Sequence, residues 1–387
     1  MRPALKSFLA IGWSFLLIGV AFALWFVHIP VVVERLSLEP WLLGVALLSG
    51  SVGGLLAMAP SAVIVMRLGA SRAVALTLPP FALLVQAPIH VPSIPLLFVS
   101  LAACGVVMGV LNTAANTRAS DWEVETGRPM MSVFHAFYSG GALIGALLGA
   151  WMLSLDGGST LPLLVALVAT FAISVAILPW FGPSVPHPKR EGAPGARAAL
   201  KSPFLIALAG IALFSDSVEG AVNEWSALYL KTIRDLTEAQ AAWGFAVFSA
   251  VMTTIRIFGA LVVARLGERR VLLGGGMLIA VGFACILSAP HPYLSIAGFG
   301  VVAMGSANLV PVLTSLGGRA GDVPPAAGIA MVAAACTAGM LMGPPVIGFV
   351  AQGFGLPVAL AVVGSFGLVV AAGTAALRWP SSAPVSA

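Results

Sequence analysis

The sequence predicts an all-α membrane protein of twelve transmembrane helices in two six-helix pseudo-repeats, both termini cytoplasmic. Three observations carry that expectation. Of 387 residues, 59% are hydrophobic and 9% charged, whereas a soluble domain has about 25% charged. Apolar runs long enough to cross a bilayer recur from end to end, and the mean hydropathy is +1.04. The basic residues alternate between loops as an even number of spans requires.

The segments fall at 8–30, 41–66, 73–89, 94–116, 130–154, 160–181, 203–230, 241–264, 271–289, 294–316, 325–350 and 357–378, divided by Pro, Gly and charged clusters. The first follows Arg2 and Lys6, as a signal peptide would. It is too long for a signal core and lacks a small-x-small cleavage site, so it reads as a retained helix. Trp41, Trp151, Trp180, Trp225, Trp243 and Trp379 lie near segment ends, the depth indole rings favour. With the amino terminus inside, fifteen of the 19 Lys and Arg residues fall on cytoplasmic loops. Arg35, Lys231 and Arg234 lie opposite, and Arg256 remains inside a segment. The stretch from Phe181 to Lys201, rich in Pro and Gly, reads as a flexible cytoplasmic linker. The expected organisation is a bundle over 1–181, a linker over 182–201 and a second bundle over 202–387. Cys104, Cys285 and Cys336 sit in apolar runs without metal-ligand spacing and read as small buried residues.

The halves repeat. Arg67-Leu68-Gly69-x-x-Arg72 returns as Arg265-Leu266-Gly267-x-x-Arg270. Gly141 and Gly145 return as Gly339 and Gly343 in the same register, Gly12 as Gly210, and Asn112 is answered by Asn308. One matching glycine means nothing in a chain with 43 of them. A six-residue loop motif in register with the rest is harder to dismiss.

These motifs resemble the major facilitator superfamily over essentially the whole chain. Its loop motif between helices two and three matches Arg67, Gly69 and Arg72, and again Arg265, Gly267, Arg269 and Arg270. The acidic residue of that motif is replaced by Met66 and Ala264. Gly339-Met-Leu-Met-Gly343-Pro344 resembles the superfamily's glycine-proline motif; Gly141-Ala-Leu-Ile-Gly145 has the glycines alone, and glycine-mediated helix packing explains both. Trp25-x-x-His28-Ile-Pro30, Arg128-Pro129-x-x-Ser132-x-Phe134-His135-x-x-Tyr138-Ser139 and Glu219-Gly220-Ala221-x-x-Glu224-Trp225 resemble a bacterial inner-membrane branch near the fucose-permease-like group. The resemblance implies a secondary transporter with a central cavity, working by alternating access in the inner membrane.

The stretch that would carry the chemistry is Phe214 to Trp225 in segment seven. Asp216 lies roughly 20 Å along that helix, near mid-membrane. Asp216, Glu219, Gly220, Asn223 and Glu224 fall on one broad face, with Trp225 pointing away. Charge at that depth costs about 2.5–3.5 kcal/mol per residue, so the face should meet water or an opposite charge. Arg256 of segment eight shares a face with Ser249 and Thr253 and leans toward Asp216 or Glu219. A permanent structural bridge and a switchable one are both open. A carboxylate alternating between an arginine partner and burial alone is a proton carrier. His135, Tyr138, Asn112, Asn116, Asn308, Trp25 and His28 complete the substrate and coupling set. Arg67, Arg72, Arg118, Asp121, Arg265 and Arg269 form a cytoplasmic gate region. Arg67 and Arg265 are free to pair with helix carbonyls, Asp121, Glu123 or Asp322.

The expected function is transport of a small polar or anionic organic solute, with protons as the coupling ion. A drug or metabolite exporter of the same fold is the alternative; its cavity would be wider and less polar. A transport-dead receptor would be marked by cytoplasmic extensions, which neither terminus offers. No P-loop, metal cluster or nucleophile–base pair is present in the sequence, so ATP-driven and enzymatic readings lack support. No cofactor and no nucleic-acid partner are expected. The partners are the solute, protons and the lipid bilayer, with the protein acting as a monomer.

Overall fold

The computed structural model describes residues 3–128, 130–155, 160–182, 196–320, 323–377 and 379. All regular structure among them is helical. We number the long elements α1 (Pro3–Leu36), α2 (Pro40–Leu68), α3 (Ala70–Leu84), α4 (Ile94–Thr126), α5 (Met131–Leu153), α6 (Thr160–Ala176) and α7 (Pro203–Thr232). Next come α8 (Glu238–Ile257, resumed as Gly259–Leu266), α9 (Glu268–Ser288), α10 (Pro292–Ser306, resumed as Leu309–Gly318), α11 (Pro325–Phe354) and α12 (Leu356–Ala376). Among the described residues eleven spans are long and apolar enough to cross a membrane, and the two pieces of α8, counted as one span, make a twelfth. The expected linker lies largely outside the described residues, as does Asp322.

Local chemistry explains where the helices start and turn. Ser202 caps α7 by accepting from Leu205 N–H at 3.4 Å. Thr237 and Gln240 form a reciprocal capping box that starts α8. The loop repeat has a conformational reason: Gly69 and Gly267 adopt φ of 80° and 78°, each joining two consecutive helices. A side chain at either position would be strained, so the repeat places glycine there twice.

The glycine repeat is a packing device. A Cβ on Gly141 would clash with Leu16 O, and one on Gly145 with Val20 O, so α5 lies backbone to backbone on α1. In the second half a Cβ on Gly339 would strike Leu213 O, pressing α11 onto α7 in the equivalent way. Glycines also set the contact between the halves. A Cβ on Gly44 of α2 would fall 2.7 Å from Pro344 O of α11, and one on Gly348 would fall 2.6 Å from Pro40 O.

Side-chain bonds group the helix ends into two faces. At the face where α1 begins, here the near face, Ser7 donates to Phe181 O at 3.3 Å and Trp122 to Ala4 O at 2.9 Å. At the far face Arg35 donates to Ile89 O and Val91 O, Arg234 donates to Ala289 O, and Lys231 pairs with Glu34.

Four expectations need correction. Segment eight is not straight: it bends by 64° at Phe258, just after Arg256. Segment ten breaks at Ala307–Asn308. Trp225 is fully buried rather than at the headgroup depth, whereas Trp151 and Trp243 are exposed as belt residues should be. Cys285 is exposed, unlike Cys104 and Cys336.

Candidate functional site

The site forms at mid-depth, where α7 and α8 of the second half face α5 of the first. Arg256 stands in the last turn of the first piece of α8, immediately before the break. Its Nη2 donates to Glu219 Oε2 at 3.0 Å and its Nη1 to Ser139 Oγ at 2.8 Å. The first bond joins α8 to α7; the second crosses from one half to the other. Both ends of the ion pair are largely enclosed, with 16% and 20% of their side chains exposed. A guanidinium can make both bonds because its donors lie in a fixed planar fork. Of the two partners open to Arg256, the structure selects Glu219.

Beside this bridge lies a cavity of about 10 Å³, roughly the room one water needs. Tyr138 and Ser139 of α5, Glu219 and Asn223 of α7, and Ser249 of α8 supply its polar wall. Phe245, Phe248 and Met252 supply the apolar one. Phe248 stacks on Phe245, and Phe26 of α1 meets Phe245 edge-on with centroids 5.5 Å apart. Asp216, one turn from Glu219 on the near side, is half-buried.

The other sequence-derived candidates divide. Tyr138, Glu219, Asn223 and Arg256 come together, and Asp216 adjoins them. Glu224 stands apart: its Oε2 is enclosed and unbonded. His135 is exposed on α5, with its ring edge-on to Phe15 at 5.4 Å. Trp25 and His28 are buried, 3% and 0% exposed, and His28 Nδ1 is bonded to Leu24 O at 2.7 Å. Neither lines the cavity. Asn112 and Asn308 do not form the symmetric pair that the repeat suggested. Asn112 is exposed and accepts from Asn116 at 2.9 Å, whereas Asn308 is buried in the break of α10 against Gly259.

The gate set also divides. Arg67, Arg72, Arg265 and Arg269 are exposed. Arg118 is buried and donates to Phe181 O at 3.2 Å and to Glu125, tying the end of α4 to the segment after α6. Glu123, a suggested partner for Arg67, instead accepts from the Met130 and Met131 N–H groups and caps α5. Asp121 is half-buried on the last turns of α4.

Sequence reasoning missed Ser139 as a partner of Arg256, and missed the aromatic wall. Ser139 was legible only as one turn from His135. Nothing in one dimension says which arginine of the other half will reach it. It also missed the ties between the halves at the far face. There Lys231 bridges Glu34 and Glu238, and Gln352 of α11 donates to Glu39 at 3.4 Å.

A scan against protein-family models found no match. Curated relatives match over nearly the full length. An uncharacterized transporter of Sinorhizobium fredii is 31% identical over 373 residues, covering 96% of this chain and 98% of that one. An MFS-type transporter of Yersinia pestis is 29% identical over 377 residues, covering 97% of each. The chain belongs to the major facilitator superfamily. Membrane protein MosC of Rhizobium meliloti is 28% identical, covering 94% and 88%.

Solved structures agree on the fold of this superfamily member. A bacterial homologue of the human lysosomal transporter Spinster, inward-facing and unoccupied, superposes with a TM-score of 0.80 at 14% identity, covering 99% and 100%. The nucleoside transporter NupG gives 0.75 at 14% identity, covering 98% and 100%. A D-xylose–proton symporter gives 0.76 at 13%, covering 97% of each chain. The protein is thus a multi-pass transporter of the bacterial inner membrane rather than an enzyme.

Proposed function

We propose that this transporter moves a small polar or anionic organic solute by alternating access, coupled to protons through Glu219 and Arg256. The near face is assigned to the cytoplasm, because the excess of Lys and Arg lies on its loops. One observation carries the reading: a single guanidinium, beside the cavity, holds a carboxylate of its own half and a hydroxyl of the other. A change in the ionisation of Glu219 therefore acts on the contact between the halves.

The ionised carboxylate holds Nη2 and pre-orients Nη1 toward Ser139. Protonation removes the negative charge, and with it most of the reason for the guanidinium to stay. Arg256 is then free to turn to the solute or to water. It stands at the break in α8, where the helix bends by 64°. Tyr138, Asn223 and Ser249 offer hydrogen bonds that orient a polar solute, and the Phe245–Phe248 wall covers an apolar face.

A thermal-shift screen of the purified protein against sugars, organic acids, amino acids and drugs at two pH values names the solute. It should stabilise the wild type but not Glu219→Gln or Arg256→Ala. Uptake of that solute into proteoliposomes then tests coupling. Uptake that ignores an imposed pH gradient refutes the proton step, and a solute bound equally by both variants refutes the site.

A further inference from the structure

Beyond the cavity, α7 carries Ser217, Glu224 and Lys231 at seven-residue spacing, which sets them on one side of the helix at successive depths. Ser217 Oγ donates to Gly339 O of α11 at 3.0 Å. At the far face Lys231 reaches Glu34 of α1 at 3.6 Å and pairs with Glu238 of α8. Glu224 therefore lies between two ties, one to α11 of its own half and one to α1 across the seam. The residue as a whole is half-buried, but its Oε2 is enclosed and has no hydrogen-bond partner.

The groups that face this seam leave Glu224 unanswered. On α7, Lys231 is engaged by Glu34 and Glu238, while Asp216 and Glu219 are themselves acidic. On α8, Arg256 is engaged by Glu219 and Ser139. On α1, His28 is bonded to Leu24 O through Nδ1 and its Nε2 has no partner, and Arg35 donates to Ile89 O and Val91 O. Cys336 is the one titratable side chain on α11, α12 has none, and α10 brings only Tyr293, next to its cap His291. An ionised carboxylate enclosed without a partner costs several kcal/mol.

We propose that Glu224 is a second proton-binding site, loaded from the far face and sealed beneath the Lys231 tie, distinct from the Glu219–Arg256 pair. In the closed seam Glu224 is a neutral acid. When the halves part at the far face, the α1–α7 seam opens and water reaches Oε2. The O–H bond then breaks heterolytically, the proton passes to water and the electron pair stays on the carboxylate; reloading is the reverse. What the second proton drives rests on the transport reading above, whereas its presence on Glu224 does not.

The test is infrared difference spectroscopy of the purified full chain in lipid nanodiscs, between neutral and alkaline pH. The wild type should show the carbonyl stretch of a protonated carboxyl group that Glu224→Gln removes and Glu219→Gln leaves in place. Lys231→Met, which unseals the far face, should speed exchange of that band in D2O. Glu224→Gln, shaped like the neutral acid, should melt within a few degrees of the wild type. A spectrum unchanged by Glu224→Gln, or a band whose exchange ignores Lys231→Met, overturns the proposal. If the band behaves as stated but gradient-driven uptake survives Glu219→Gln, the pair reading falls and the second site stands. The converse keeps the pair and removes Glu224.

Discussion

Two arginines, Arg118 and the half-buried Arg256, show what distinguishes an anchor from a switch in this fold. Arg118, 4% exposed, gives its Nε and one Nη to the carbonyl of Phe181 and finishes on Glu125, all within the first half. Arg256 gives its donors to two side chains in different halves. The backbone carbonyl of Phe181 cannot titrate and Glu125 lies on the same helix as Arg118, so no change of charge at this tie reaches the other half. The Glu219 carboxylate can titrate, so the Arg256 tie has two states. The difference lies in the partners and in whether they move with the same bundle.

The largest effect expected from this contrast is functional. Arg256→Ala should abolish gradient-driven uptake in proteoliposomes. Arg118→Ala should lower the melting temperature, having lost charge-assisted bonds of roughly 1.5–3 kcal/mol each, while the surviving folded protein keeps its response to pH. An Arg118 variant that melts normally but loses coupling would break the comparison.

Next in size is Glu219→Gln, which mimics the protonated state permanently. Exchange of solute across the membrane should persist, whereas accumulation driven by a pH gradient should fall at least tenfold. Retained accumulation would move the coupling role to Asp216 or elsewhere.

Packing at the seam supplies the third test. Gly44→Val adds atoms where even a Cβ would fall 2.7 Å from Pro344 O, so α2 and α11 can no longer close. Overpacking of this kind costs about 1–3 kcal/mol. Cysteines placed on the far side of the seam should react with a membrane-impermeant thiol reagent faster in this variant than in a Gly44-containing control. An equal rate would mean that closure of the far face does not depend on this contact.

The smallest effect sharpens the comparison rather than threatening it. Glu34→Gln removes one partner of a partly exposed lysine that keeps Glu238. Such pairs contribute about 0–1 kcal/mol. The far-face labelling rate should rise by no more than severalfold. A larger rise would make this tie, and not the glycine contact, the main latch.

Much of the site could be read from the chain, and the misses have a common cause. Asp216, Glu219, Asn223 and Arg256 stand out because charge is rare in apolar segments, and helical periodicity puts the acids on one face. The same periodicity assigned Glu224 to that face, although it lies toward the seam with Ser217 and Lys231. A broad face on a wheel becomes two environments once α11 and α1 pack on either side. Trp225 was misplaced for a related reason: an indole near a span end suits the headgroups, but here the stretch of α7 around it is buried. The histidines drew attention as titratable groups, yet His28 is fully buried on α1 and His135 is exposed on α5. Which of those fates befalls a histidine depends on what packs against it.

What the chain determined alone is local or additive. Span length, helix starts, the glycines at positive φ, the repeat and the charge bias between loops all follow from residue type and spacing. What tertiary structure decided is relational: that Arg256 takes Glu219 and reaches Ser139 across the halves, that α8 and α10 break at the same depth, and that Lys231 closes the far seam. Those outcomes depend on the rotation and relative depth of neighbouring helices. Close contacts between backbones, at Gly141 on Leu16, Gly339 on Leu213 and Gly44 on Pro344, set that geometry. A single strand of sequence marks the glycines but does not say which backbone each will meet.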